Sequence, residues 1–201
     1  MEIKYFDNSA TTRIKEEVLE EMFPYLSIQY GNPSSIYSIG RNAKRAIEEA
    51  RKRVASLINC KPEEIYFTSC GSESDNTALK GIAYTNKNKG KHIITSKIEH
   101  PAILHSCQNL EKNGFDVTYL DVDKNGFVNI ESLKNAIRKD TILISIMFAN
   151  NEIGTIEPIE EIAKIAHQNN IIFHTDAVQA VRKYSYRCTK NGYRYVVVVR
   201  S

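Results

Sequence analysis

Short apolar runs recur along this chain, each separated from the next by enough residues for a helix, and this alternation most narrows the folds open to it. The runs lie at 65–68, 92–96, 117–120, 141–148 and 171–175. The segments between most of them carry apolar residues at helical spacing. Each crossover is long enough to return the chain parallel, so the pattern predicts a doubly wound α/β domain with a mostly parallel sheet. The run at 141–148 is the most apolar, as expected of a central strand covered on both faces. Such sheets gather ligands outside the carboxyl ends of their strands, so the residues that follow each run are the candidates for chemistry.

Ile171-Ile172-Phe173-His174-Thr175-Asp176 is the clearest case, because an apolar strand runs into an acid. Asp176 is then either a capping residue at a strand end or a buried carboxylate facing a ligand. The run at 65–68 is read as a strand leading into Ser69-Cys70-Gly71-Ser72-Glu73-Ser74-Asp75-Asn76, a small glycine-containing loop that opens a helix. Its unpaired N–H groups at the positive end of a helix suit a phosphate, while Ser72 or Ser74 reads equally well as a plain N-cap. Neither the Walker nor the Rossmann spacing is present. After the run at 92–96 come Glu99-His100-Pro101, and Pro101 fits a first helical position, which puts His100 at a strand-to-helix junction. A lone histidine there is ordinarily structural or solvated until a ligand gives it work.

Upstream, residues 3–6 end in Asp7-Asn8-Ser9-Ala10-Thr11-Thr12, which reads as a turn or as a ligand loop offering hydroxyls. A helix is expected over 14–26 with Pro24 marking its end. Tyr30-Gly31-Asn32-Pro33-Ser34-Ser35 signals a turn before a helix over about 41–58, whose apolar stripe (Ala43, Ala46, Ile47, Ala50, Val54, Leu57, Ile58) should pack on a core. Further helices are expected over 130–138 and from Pro158 to about 167.

With 42% hydrophobic and 25% charged residues the chain reads as globular. No apolar run reaches membrane-spanning length and Met1-Glu2-Ile3-Lys4 opens no signal peptide, so a cytoplasmic protein without a membrane partner is expected. Cys60, Cys70, Cys107 and Cys188 show neither a C-x-x-C pair nor zinc spacing, and no metal site is expected. The net charge of +3 arises wholly in residues 182–201, which hold six Lys or Arg and no acid, against 21 bases and 24 acids before them. That distribution argues against nucleic acid as a partner of the main body.

Taken together, Phe6-Asp7-Asn8-Ser9-Ala10-Thr11-Thr12, Gly31-Asn32-Pro33-Ser34-Ser35, the loop at 68–76, Glu99-His100, Asn150-Asn151-Glu152-Ile153-Gly154 and His174-Thr175-Asp176-Ala177-Val178-Gln179 resemble, in order and separation, the class V aminotransferase group of pyridoxal phosphate enzymes. Within it the cysteine desulfurases are most similar, over residues 1–181. The resemblance implies a sheet of the PLP-transferase type, incomplete at the C-terminus. It implies pyridoxal 5'-phosphate as cofactor, with its phosphate on Gly71 and Ser72 and its ring oxygen near Asn151 and Gln179. His100 would stack on the ring as the catalytic histidine, and Asp176 would pair with the pyridine nitrogen. A buried carboxylate there keeps the nitrogen protonated, so that the ring accepts electrons. The implied reaction converts L-cysteine to L-alanine plus enzyme-bound persulfide, passed to a sulfur acceptor or iron-sulfur scaffold protein, in a homodimer. A selenocysteine lyase or an aminotransferase would share these residues.

The family's Schiff-base lysine lies in a Ser-Gly-His-Lys motif beyond the Asp, and its persulfide cysteine lies later still; neither motif occurs in these 201 residues. Lys183 and Lys190 have other neighbours. The expected organisation is an N-terminal segment, 1–30, part of the cofactor-binding large domain, 31–181, and an aberrant tail, 182–201. The tail can be back-translated so that removing its first base yields GNIPIDVQKMGIDMLSLSG, which resembles the family's approach to its lysine. A frameshift after Val181, a truncated desulfurase and a chain inactive by itself are the expectations. A non-catalytic interaction protein with a genuine basic tail is the competing one. Residues 196–199 read as an unpaired β-prone segment.

Overall fold

In the N-terminal unit, Met1–Tyr66, helical spacing produces α1 (Glu16–Ser27) and α2 (Ser38–Ile58). The computed structural model describes residues 4–180 and, beyond them, the backbone of Thr189–Lys190, Tyr193–Arg194 and Val196–Val198. Pro24 does not end α1 but lies inside it, and its carbonyl accepts the N–H groups of Ile28 and Gln29 that close the helix. Proline removes its own N–H yet keeps its acceptor, so the last turn survives it. α2 stops where Asn59 turns left-handed at φ 56°, a conformation asparagine tolerates. Only part of the expected stripe is covered: Ala43 and Ile58 are buried, as is Ala55 outside the stripe, while Ile47 and Leu57 stay exposed.

Residues 65–68 do not form the expected strand. After a 3-10 turn (Pro62–Glu64) they run as irregular chain, with Tyr66 and Phe67 exposed and the Ile65 carbonyl accepting from the Arg51 guanidinium. β-propensity is realised only beside a partner strand, and the described residues offer this segment none.

The second unit, Phe67–Ser201, contains the alternation. α3 (Gly71–Asn86) leads to β1 (His92–Ser96), α4 (Pro101–Lys112), β2 (Asp116–Leu120), α5 (Ile130–Ala136), β3 (Thr141–Ser145), α6 (Ile159–Gln168) and β4 (Ile172–Asp176). β5 (Thr189–Lys190) and β6 (Tyr193–Arg194) make a small antiparallel pair, and β7 is Val196–Val198. The sheet order is β2-β1-β3-β4-β7, every pair parallel. Residues 196–198 are therefore paired rather than free, because β4 presents a ladder edge that a run of valines can complete. Val181, Arg182, Lys183, Cys188 and Val199 lie outside the described residues, as does most of the expected 182–201 tail.

Adjacent strand residues face opposite ways, so two cores form. Ile93, Val117 and Leu143 meet Leu79 and Ala83 of α3 and Ile103, Cys107 and Leu110 of α4. Ile94, Leu120, Ile144 and Phe173 meet Leu133 of α5 and Ile162, Ile165 and Ala166 of α6. Each fully buried aliphatic side chain contributes about 1.5–3 kcal/mol. Burial also pushes the Cys107 thiol up to about 12, consistent with an inert core residue.

Gly90 holds the entry to β1 against the loop before β3. A Cβ there would overlap the Asp140 carbonyl, which accepts the His92 N–H at 3.1 Å. Gly90→Ala is therefore expected to destabilise the fold by about 1–3 kcal/mol, read as a lower urea midpoint at unchanged m-value.

Candidate functional site

In the order β2-β1-β3-β4 the chain reverses direction across the sheet between β1 and β3. A doubly wound sheet opens a crevice at such a point, outside the carboxyl ends of the strands. α3 precedes β1 and α4 follows it, so both helix N-termini lie at that end, together with the loops after β3 and β4.

Gly71 and Ser72 are the first two residues of α3, and their N–H groups have no acceptor within the helix. Neither Ser72 nor Ser74 is the N-cap; Cys70 is, and its side chain makes no capping bond. The loop is stiffened from within. The Glu73 carboxylate accepts from the Ser69 N–H (2.6 Å) and hydroxyl (2.7 Å), which hold its pKa below the usual value, and Thr68 Oγ1 lies 2.6 Å from Ser74 Oγ. Ser72 itself is exposed.

His100 is the N-cap of α4, and Pro101 takes the first helical position as expected. Its Nδ1 accepts the Ala102 N–H at 3.2 Å, so any proton on the neutral ring sits on Nε2. The ring is thus both structural and exposed.

After β3, Asn150 organises its own loop. Its Oδ1 accepts the N–H groups of Glu152 (2.9 Å) and Ile153 (3.1 Å), and its Nδ2 donates to the Ile98 carbonyl (3.0 Å). The half-buried Asn151 follows on the same loop. Asp176 ends β4 and is 7% exposed; its Oδ1 accepts the Val178 N–H at 3.0 Å. Burial raises its pKa, against the Val178 bond and the neighbouring His100, both of which lower it. Gln179 is half-buried in the turn that follows. Asp176 and His100 are therefore brought within electrostatic reach, and Gly71, Ser72, Asn151 and Gln179 stand on the neighbouring loop ends.

Beneath them lies a set of buried polar groups that the sequence reading left without a role. His174, on β4, sits between Ser145 Oγ (Nδ1, 2.8 Å) and Asp75 Oδ1 of α3 (Nε2, 3.7 Å). Desolvation drives the His174 pKa down to about 3 and, with Asp176 adding to it, the Asp75 pKa up to about 8. Both partners are neutral near pH 7, so this is not an ion pair. Asp75 was findable, since it stands in phase with the buried Leu79 and Ala83 of the same helix. Glu99, 4% exposed, accepts from the Ser96 hydroxyl (2.7 Å) and the Met147 N–H (3.0 Å) through one oxygen. Among the described residues Asp75 Oδ1, Thr95 Oγ1, Glu99 Oε2, Glu157 Oε1, His174 Nε2 and Thr175 Oγ1 are buried without a hydrogen-bond partner. Thr95, Glu99 and Thr175 stand at or just past the carboxyl ends of β1 and β4, His174 midway along β4, Asp75 one turn into α3 and Glu157 on the loop after β3. Unpaired polar groups gathered at one place mark a site built for something polar.

A family model described as aminotransferase class-V matches residues 4–193. The cysteine desulfurase IscS of Methanosarcina thermophila is 63% identical over 177 residues, 88% of this chain and 44% of that protein. The cysteine desulfurase IscS of Clostridium botulinum (strain Kyoto / Type A2) is 62% identical over 177 residues, 88% of this chain and 45% of its own length. Among solved structures, a NifS-like protein superposes with a TM-score of 0.88 at 44% identity, over 91% of this chain and 51% of that one. A structure described as SspA in complex with cysteine gives 0.89 at 42% identity, over 92% and 54%. The chain thus spans about half the length of the relatives it matches.

Proposed function

The chain belongs to the aminotransferase class-V family, and on that footing we propose that these residues are the cofactor-holding part of a pyridoxal phosphate-dependent cysteine desulfurase. The observation that carries this reading is the convergence of the α3 N-terminus, the His100 cap and the buried Asp176 at the switch point of the sheet. The residues fit the group: a helix N-terminus receives a phosphate, and a buried carboxylate receives a protonated ring nitrogen.

In this reading Gly71 and Ser72 hold the phosphate through their N–H groups. His100 lies against the ring, oriented by its bond to the Ala102 N–H, and Asn151 and Gln179 hold the ring oxygen. Asp176 keeps its negative charge once a cation stands beside it, which offsets the cost of its burial. When bound, the cofactor supplies an electron sink for chemistry at the α-carbon of an amino acid. The substrate is L-cysteine and the products are L-alanine and a persulfide, destined for a sulfur acceptor or an iron-sulfur scaffold in the cytoplasm. The assembly is a homodimer. These 201 residues hold no Ser-Gly-His-Lys motif, and taken by themselves they are expected to bind the cofactor without a covalent bond and not to turn over L-cysteine.

The test is an absorbance titration of the purified chain with pyridoxal phosphate, followed by borohydride and intact-mass measurement. The expected result is saturable binding, unchanged protein mass, no alanine from L-cysteine, and binding roughly tenfold weaker for Asp176→Asn. A cofactor fixed to one particular lysine would overturn the claim of non-covalent binding, and a chain with no affinity for pyridoxal phosphate would overturn the cofactor reading.

A further inference from the structure

We infer that Glu99 is a positioning residue: buried in the crevice between β1 and β3, its carboxyl ties the loop that carries His100 to the loop that carries Asn151 and so sets the width of the cofactor's seat. The inference rests on the cofactor reading above and adds a residue to it.

The β1–β3 ladder ends at the pair Thr95 and Ser145. Beyond that pair two parallel strands at a switch point diverge, since their crossovers leave in opposite directions, and the gap is what admits a ligand. Here the gap is spanned by side chains. Glu99 Oε1 accepts the hydroxyl of Ser96, the last residue of β1, at 2.7 Å and the Met147 N–H across the crevice at 3.0 Å. Asn150 Nδ2 returns the tie, donating to the Ile98 carbonyl at 3.0 Å. Glu99 immediately precedes His100, and Asn150 immediately precedes Asn151. The two residues that make the ties are therefore the backbone neighbours of two residues proposed to touch the cofactor.

The tie depends on an acceptor and not on a charge. Around the carboxyl stand Asp176 of β4, Glu157 of the loop after β3 and the Cys107 thiol of α4. Burial, reinforced by Asp176 and Glu157, raises the Glu99 pKa to about 8, so near neutral pH it bonds as a carboxylic acid and adds no second charge beside Asp176. A glutamine amide oxygen would accept the same two bonds. A methionine of similar volume would accept neither and would leave the buried Met147 N–H unpaired.

The experiment compares the full chain with Glu99→Gln and Glu99→Met, using pyridoxal phosphate as the probe. It reads the dissociation constant, exchange protection of the Met147 amide, and the NMR shifts of the His100 ring and the Asn151 amide. Gln should stay within about twofold of the parent in affinity, and Met, still folded by circular dichroism, should bind about tenfold more weakly. Met should also lose Met147 protection and shift both the His100 and Asn151 signals. A folded Met variant with parental affinity would overturn the inference even if Met147 protection fell, because Glu99 would then be structural only. Should Met fail to fold, Gln decides alone, and a folded Gln variant about tenfold weaker would overturn the claim that an acceptor suffices. If the parent does not bind the cofactor, the functional reading fails while the latch is still judged: moved His100 and Asn151 signals in Met sustain it, and unmoved signals overturn it.

Discussion

Raising the pH from 6.5 to 8 is expected to lower the stability of the fold by roughly 2 kcal/mol for each of two buried carboxyls, Asp75 and Glu99. Both have folded-state pKa values raised from 3.8 and 4.5 to about 8, chiefly by desolvation. In that window the unfolded chain has released both protons and the folded chain keeps them, so stability falls as pH rises and levels off once the folded groups ionise. Below 6.5 an opposing contribution enters. His174 is held neutral with its pKa near 3, and His92 is lowered as well, so the unfolded chain gains protons there that the folded chain refuses. Acidification from 6.5 thus offsets part of what the carboxyls gain, and the alkaline limb is the clean one. Asp176 and Glu157 are raised too and act in the same sense as Glu99. Urea unfolding at the two pH values reads the slope. Glu99→Gln and Asp75→Asn should each remove about half of the decline assigned to this pair, and a parental slope in both variants would refute the assignment.

Ile144→Ala is expected to destabilise by about 2–5 kcal/mol. Ile144 is fully buried within β3, paired with Ile94 of β1 and Phe173 of β4, and packed in the core that α6 closes. A void there is lined by sheet on both sides, so its walls have little freedom to collapse. Ile172→Ala, at the exposed start of β4, removes the same atoms and should cost far less, within about 1 kcal/mol. Equal losses in the two variants, measured as urea midpoints, would show that β3 is not the central load of the sheet.

Period and punctuation made most of the second unit readable. Residues 92–96 are bounded by turn residues and form β1 without a residue's error, and Pro101 located the start of α4 because a proline has few other places to stand. Residues 65–68 have as much β-propensity but no neighbour strand among the described residues, and a ladder is a property of two segments, not one. Residues 196–198 erred the other way, since the free edge of β4 is invisible until the sheet exists. Of the site, the loops that end strands were legible. The floor was not: Glu99 carries no role in the sequence, and nothing local announces that the N–H it accepts is that of Met147. His174 stands in a strand the sequence predicts, but its role depends on Ser145 and Asp75, which approach it only after three elements have packed.

At the other end of the same sheet, His92 lies between Thr141 of β3 (2.7 Å) and Thr118 of β2 (2.9 Å), so one imidazole clasps three strands where they begin. The strands are thus held toward their amino ends by His92, and toward their carboxyl ends by Glu99 and His174, which lie under the candidate site. Transient opening should therefore start at the crevice and die out toward His92, like a book held at its spine. Whatever fills the crevice would close the covers, and amide exchange along β1 would slow from Ser96 backward, with His92 the residue least changed.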